Sequence, residues 1–287
     1  MKKAPPETRT GEIAASPARF LGPEDAAIFD TFVVPRYLSL FSERLLELIV
    51  PGRDARVCHL QCRTGYPDRA LMEGLPNVEV YGCDNSVHAI ELAKAKAKAL
   101  PGFLADYRVI EGQTTPFPAG AFSHGFTMHP LAAPAERQML LEELARIVAP
   151  RGQALVAMPL RGSFLEIADL LRECALKHEL TDLTNAVEAA VQLRPTDDLF
   201  KKELEKVGFE YVEVDVRSRT LRFESGRQLF EDPVTRLMLL PEFRVNLNMS
   251  DIDRPFSYVR EAIDKYWSDG TFELTVNVGV VSGRRKV

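Results

Sequence analysis

The sequence predicts a doubly wound α/β domain, a mostly parallel sheet with helices on both faces. Three observations lead to this. From about residue 53 to residue 160, short strand-like runs alternate with stretches of helical periodicity. The stretch V-C-H-L-Q-C-R-T-G, from Val57 to Gly65, is a strand entering a tight turn ahead of a helix. Late in the chain, F-E-Y-V-E-V-D-V and F-E-L-T-V-N-V-G-V-V-S-G alternate like two strands that close such a sheet as an antiparallel hairpin.

Residues 1–22, rich in Pro, Ala and small polar residues, are expected to form a flexible arm. A helical segment follows over 23–52. It starts near Asp25, is interrupted or restarted at Pro35, and then repeats Tyr37, Leu38, Phe41, Leu45, Leu46 and Ile49 at three- and four-residue spacing until Pro51-Gly52 ends it. The core, 53–160, reads as strand 57–60, helix 67–73, strand 78–83 and a Ser86-capped helix with Ile90, Leu92, Ala93 and Ala97 facing inward. The lysines of that helix are expected to form a solvated face. Strand 107–110, a fourth strand ending near T-M-H-P-L, helix 134–149 and a fifth strand in Q-A-L-V-A-M-P-L complete the core. Residues 161–207 are helical, with Phe164, Ile167, Leu170 and Leu171 in one stripe and Leu199, Leu204 and Val207 in another. Residues 208–287 hold the closing strands and a helical cap insertion over about 225–270.

At 287 residues with 46% hydrophobic content, the chain can bury a substantial core. Its net charge of −5 argues against a nucleic-acid footprint. It has no apolar run of membrane-spanning length, and no apolar segment follows Lys2 and Lys3 as a secretory signal requires. Cys58, Cys62, Cys83 and Cys174 lack C-x-x-C spacing and fit reduced, buried thiols, so a cytoplasmic location is expected.

The first turn resembles the opening motif of class I S-adenosylmethionine-dependent methyltransferases, V-L-D-L-G-C-G-T-G, at Val57, Leu60, Cys62, Thr64 and Gly65. G-C-D-N-S around Asp84 resembles the family's G-x-D-x-S. The passage E-G-Q-T-T-P-F-P-A-G-A-F-S-H is similar to its G-D-A-x-x-L-P-F-P-D-x-S-F-D, and P-R-G-Q to its L-K-P-G-G. The resemblance spans about residues 37–160. It implies a Rossmann-like class I methyltransferase fold of seven strands, one of them a reversed edge strand.

The same resemblance implies a cofactor site at His59, Gln61, Arg63, Gly65, Asp84 and Gln113. Asp84 would accept the ribose hydroxyls and Gln113 would contact the adenine amino group. His59 stands at an acidic position of the family, and Gln61 and Arg63 at two of its glycines. A side chain there meets a closely approaching ligand or demands a positive φ. Asp84 also has a plain turn reading, and a third in which its carboxylate pairs with the Arg63 guanidinium and fills the ribose site. His124 replaces an aspartate that is often structural in the family.

No catalytic residue is assigned. His129 is a candidate base or a satisfied structural histidine. No metal site is expected, since strand alternation points Cys58 and His59 to opposite faces. Tyr258, Tyr266 and Trp267 line a cap pocket or pack in the core. Three functions follow: a non-catalytic scaffold or regulatory module with a protein partner and no cofactor, an active methyltransferase using S-adenosylmethionine on a small-molecule substrate, or a binder of another anionic ligand through Arg63.

Overall fold

The computed structural model describes residues 21–130 and 133–287. The arm expected over 1–22 therefore lies outside the described residues except for Leu21 and Gly22. Leu21 is buried, and its carbonyl accepts the Ser86 hydroxyl.

Seven strands form one sheet in the order β3-β2-β1-β4-β5-β7-β6. β1 (Arg56–Leu60), β2 (Glu79–Asp84), β3 (Leu104–Val109), β4 (Phe122–Met128) and β5 (Val148–Pro159) are parallel. β7 (Phe272–Arg285) runs antiparallel to both β5 and β6 (Phe209–Phe223). The reversed strand is thus interior, which corrects the expectation that it lies at the edge. The hairpin's second strand is inserted against β5, and β6 becomes the edge. The chain leaves β1 toward β2 on one side and returns to β4 on the other, so the order switches between β1 and β4. This is where doubly wound sheets open a crevice at their carboxyl ends.

One face of the sheet is covered by an N-terminal helix of three segments, α1 (Pro23–Ile28), a π-wound stretch (Phe29–Leu38) and α2 (Ser39–Leu48), together with α3 (Asp68–Gly74) and α4 (Val87–Lys98). Pro35 does not interrupt this helix. The wider π winding takes up a residue that lacks an N–H and whose ring would clash with an ordinary turn. Ser86 caps α4 as expected, its hydroxyl accepting from Ala89 N at 3.2 Å. Within α4, Ala89, Ile90, Ala93 and Ala97 are buried, whereas Leu92 is only partly so.

The other face carries α5 (Pro134–Ile147) and α8 (Asp197–Lys206). There the buried Arg137 donates two 2.7 Å hydrogen bonds to Glu203, a bidentate strut between these helices. α6 (Leu165–Lys177), α7 (Thr181–Leu193), α9 (Gly226–Glu231), a second π-wound turn (Thr235–Leu239), α10 (Leu240–Leu247) and α11 (Asp253–Tyr266) form the cap layer. Among the described residues no helix is long and apolar enough to cross a membrane.

The sheet alternates as the pattern requires. Val57 and Val80 join the core under the N-terminal helix, and Cys58 and Leu60 join the core under α5 and α8. Gly82 is required by packing, because a Cβ there would lie 2.3 Å from the Tyr107 ring. Gly82→Ala is expected to destabilise the fold by about 2 kcal/mol or more in a chemical denaturation series, with Tyr107→Ala partly rescuing it.

Candidate functional site

The crevice between β1 and β4 is built from the turn after β1. Gln61 (φ 56°) and Arg63 (φ 48°) both hold the left-handed conformation that glycine adopts freely, and Gly65 (φ 73°) follows. The methyltransferase-like turn is thus kept with two bulky residues inside it. Gly65 is obligatory, since a Cβ there would lie 2.9 Å from the Ala93 methyl. Asp84 stabilises this backbone. Its Oδ2 accepts the Arg63 N–H and its Oδ1 the Ser86 N–H, each at 2.9 Å, from a buried carboxylate.

The Arg63 side chain crosses the crevice. Its Nη1 donates to the Met128 carbonyl at 2.8 Å and its Nη2 to the His129 carbonyl at 3.0 Å, both at the end of β4. The Phe29 ring lies 5.7 Å from its Cζ. A guanidinium–Asp84 pair filling the ribose site is therefore corrected. The carboxylate binds the backbone of Arg63, and the left-handed turn aims the side chain toward β4 instead. Burial lowers the pKa of Arg63 below the ordinary guanidinium value, with Asp84 opposing that shift.

Gln61 Nε2 donates to Gln113 Oε1 at 3.0 Å, tying the β1 turn to the loop after β3, while Gln61 Oε1 is buried without a hydrogen-bond partner. His59 is stacked on Phe126 with ring centroids 4.1 Å apart, and burial followed by the charge of Arg63 pushes its pKa down to about 3. It stays neutral at physiological pH. The structure thus gathers His59, Gln61, Arg63, Gly65, Asp84 and Gln113 around one crevice. His124 is elsewhere, inside β4 toward its opposite end, with Nε2 donating to the Val50 carbonyl at 3.0 Å.

His129 (φ 53°) is buried just past β4, and its Nε2 shares a 2.8 Å hydrogen bond with the Tyr37 hydroxyl. Glu242 of α10 approaches the same nitrogen at 4.0 Å and pairs with Arg194 at 2.9 Å. The N-terminal helix, β4 and the cap meet in this buried polar cluster. Neither Tyr37 nor Glu242 was singled out for chemistry in the sequence, because they join His129 only through tertiary packing. Tyr258 and Tyr266 both donate to Glu173, and Trp267 meets the Phe272 ring edge to face with centroids 5.1 Å apart, so they brace the cap.

Two further residues are new. Lys96, expected on a solvated face, donates to Asp30 and to the Thr64 carbonyl, clamping the N-terminal helix to the β1 turn. Its spacing from Ala89 and Ala93 was the available signal. Asp68 is buried, accepts the Tyr107 hydroxyl at 2.5 Å, and has its pKa raised to about 7 by burial, against the opposing effects of Tyr107 and Lys96.

A family model described as a methyltransferase domain matches residues 57–152, the stretch that builds the crevice. The chain carries a class I methyltransferase-like domain. Solved structures share this fold. A candidate methyltransferase from Bacillus halodurans is 14% identical with a TM-score of 0.54, the match covering 85% of this chain and 98% of that one. The YcgJ protein of Bacillus subtilis is 11% identical with a TM-score of 0.55, covering 85% and 97%. Phosphoethanolamine N-methyltransferase 2 of Haemonchus contortus, solved with S-adenosyl-L-methionine, is 14% identical with a TM-score of 0.51, covering 85% of this chain and 51% of that one. No curated protein matches the sequence.

Within this methyltransferase-like domain Asp68 gives a signed pH dependence. The folded carboxyl titrates near pH 7, well above its unfolded value, so the folded state holds the extra proton. Its contribution to stability is complete at low pH and is lost as pH rises through 7. Between pH 5 and pH 8 the wild type is expected to lose about 2–3 kcal/mol relative to Asp68→Asn, measured by urea denaturation.

Proposed function

We propose that this methyltransferase-like domain is a non-catalytic scaffold or regulatory module that works through a protein partner, its cofactor crevice closed by its own side chains. The Arg63 side chain carries the reading. It lies across the switch point and holds two carbonyls at the end of β4, where a doubly wound sheet takes its ligand.

The residues present do not fit S-adenosylmethionine. The Gln61–Gln113 bond crosses between the β1 turn and the loop where adenine would be met. Asp84 spends both oxygens on its own backbone, and the neutral His59 supplies no negative charge. His129, the one candidate base, is bonded to Tyr37 under the cap. Four free, buried cysteines suit the reducing cytoplasm that the reading assumes.

Titration calorimetry with S-adenosylmethionine is expected to give no heat of binding; low-micromolar affinity overturns the proposal in favour of an active enzyme. The Gln61→Gly, Arg63→Gly double variant, which relieves two left-handed side chains and clears the crevice, is expected to gain measurable affinity. Unchanged behaviour of a folded double variant removes the steric argument.

A second reading rests on the charge of Arg63. Its guanidinium has two neutral carbonyl acceptors and no ion pair among the described residues, so an anionic ligand would supply the missing countercharge. In a thermal-shift series with phosphate and carboxylate compounds, this reading requires stabilisation that Arg63→Gln abolishes.

A further inference from the structure

A groove of about 410 Å³ lies between α3 and the C-terminal part of α4, and Gly65 is the only crevice residue on its wall. Its volume is in the range of small-molecule sites. The apolar lining includes Tyr66, Ala70 and Leu100, and the ionisable lining is Asp68, Arg69, Glu73 and Lys96. We propose that this groove binds an organic ammonium ion, with the apolar body against Tyr66, Ala70 and Leu100 and the charged head directed to Asp68.

The placement of charge selects a cation. Lys96 is already committed to Asp30 and the Thr64 carbonyl, so its charge is offset within the protein. Arg69 and Glu73 are both exposed and carry opposite charges, so together they add no net charge to the groove. Asp68 is 5% exposed, and its Oδ1 has no hydrogen-bond partner although Oδ2 holds the Tyr107 hydroxyl. A buried carboxyl oxygen without a donor is costly, and an ammonium supplies both the donor and the countercharge. The groove also runs along the end of α4, where helix carbonyls carry partial negative charge.

The groups facing Asp68 are Tyr107 from β3, Lys96 from α4 and Asp30 from the N-terminal helix. With its carboxyl titrating near pH 7, Asp68 is largely neutral at pH 6 and ionised at pH 8. Ammonium binding is therefore stronger at the higher pH and releases a proton at the lower one.

Cyclohexylamine, cyclohexanol and cyclohexanecarboxylate, compared by thermal shift on the full chain, separate charge from shape. Cyclohexylamine is expected to raise Tm, more at pH 8 than at pH 6, and the alcohol and the carboxylate to leave it unchanged. The shift should vanish in Asp68→Asn, which keeps the shape and an acceptor for Tyr107, and in Ala70→Trp, which fills the groove without touching the carboxyl. No shift with the amine, an equal shift with the alcohol, or a shift that survives Ala70→Trp overturns the proposal, even where Asp68→Asn fails to fold. None of these outcomes depends on whether S-adenosylmethionine binds at the crevice.

Discussion

The carboxylate of Asp84 sets the geometry from which the crevice follows. Parallel pairing of β1 with β2, Leu60 opposite Cys83, brings the two strand ends to the same level. One buried acid can then hold the N–H of Arg63 in the β1 turn and the N–H of Ser86 ahead of α4. With the turn pinned, Gln61 and Arg63 remain left-handed although neither is glycine, a conformation that costs each of them about 1 kcal/mol or more. Ser86, positioned by the same acid, caps α4 and takes the Leu21 carbonyl, which fixes the start of the N-terminal helix. The turn, the first helix after β2 and the entry of the chain onto the sheet all rest on this contact.

Strain and charge in the crevice run in one direction. A turn evolved around glycine leaves room for a ligand because it has no side chains. Here Gln61 and Arg63 hold left-handed backbone conformations in that turn, and both carry long side chains. Arg63 satisfies carbonyls that a parallel strand leaves open at its end, and Gln61 finds Gln113 across the gap. The positive charge of Arg63 helps hold His59 neutral, so no second positive charge develops beside the guanidinium at the end of β1. Of the departures from the familiar motif, Gln61 and Gln113 bond to each other, Arg63 bonds backbone carbonyls at the end of β4, and His59 stacks on Phe126.

The N-terminal helix and the cap both make contacts at the ends of β1 and β4. The Lys96–Asp30–Thr64 clamp joins the helix to the β1 turn, and the Tyr37–His129 bond joins it to the end of β4. Glu242 brings α10 to the same point, balanced by Arg194 at the end of α7. Buried ion pairs of this kind contribute more to fixing the relative positions of elements than to net stability, because desolvation offsets much of their attraction.

The periodicity of the sequence determined the strand and helix alternation, the closing hairpin and the Ser86 cap, since each follows from local side-chain pattern and backbone chemistry. That His59, Gln61, Arg63, Gly65, Asp84 and Gln113 belong together was implied by the resemblance to the methyltransferase motifs, and parallel strands that end at one level place them near one another. The sequence could not decide where β7 inserts, since either side of β6 satisfies the same alternation. Nor could it decide the direction of the Arg63 side chain, whose reach allows both Asp84 and β4. Only the three-dimensional packing settled these points: the sign of φ at residue 63 turns the guanidinium toward Met128 and His129, and Tyr37, Asp68 and Glu242 gain their roles from neighbours 39 or more positions away in the chain.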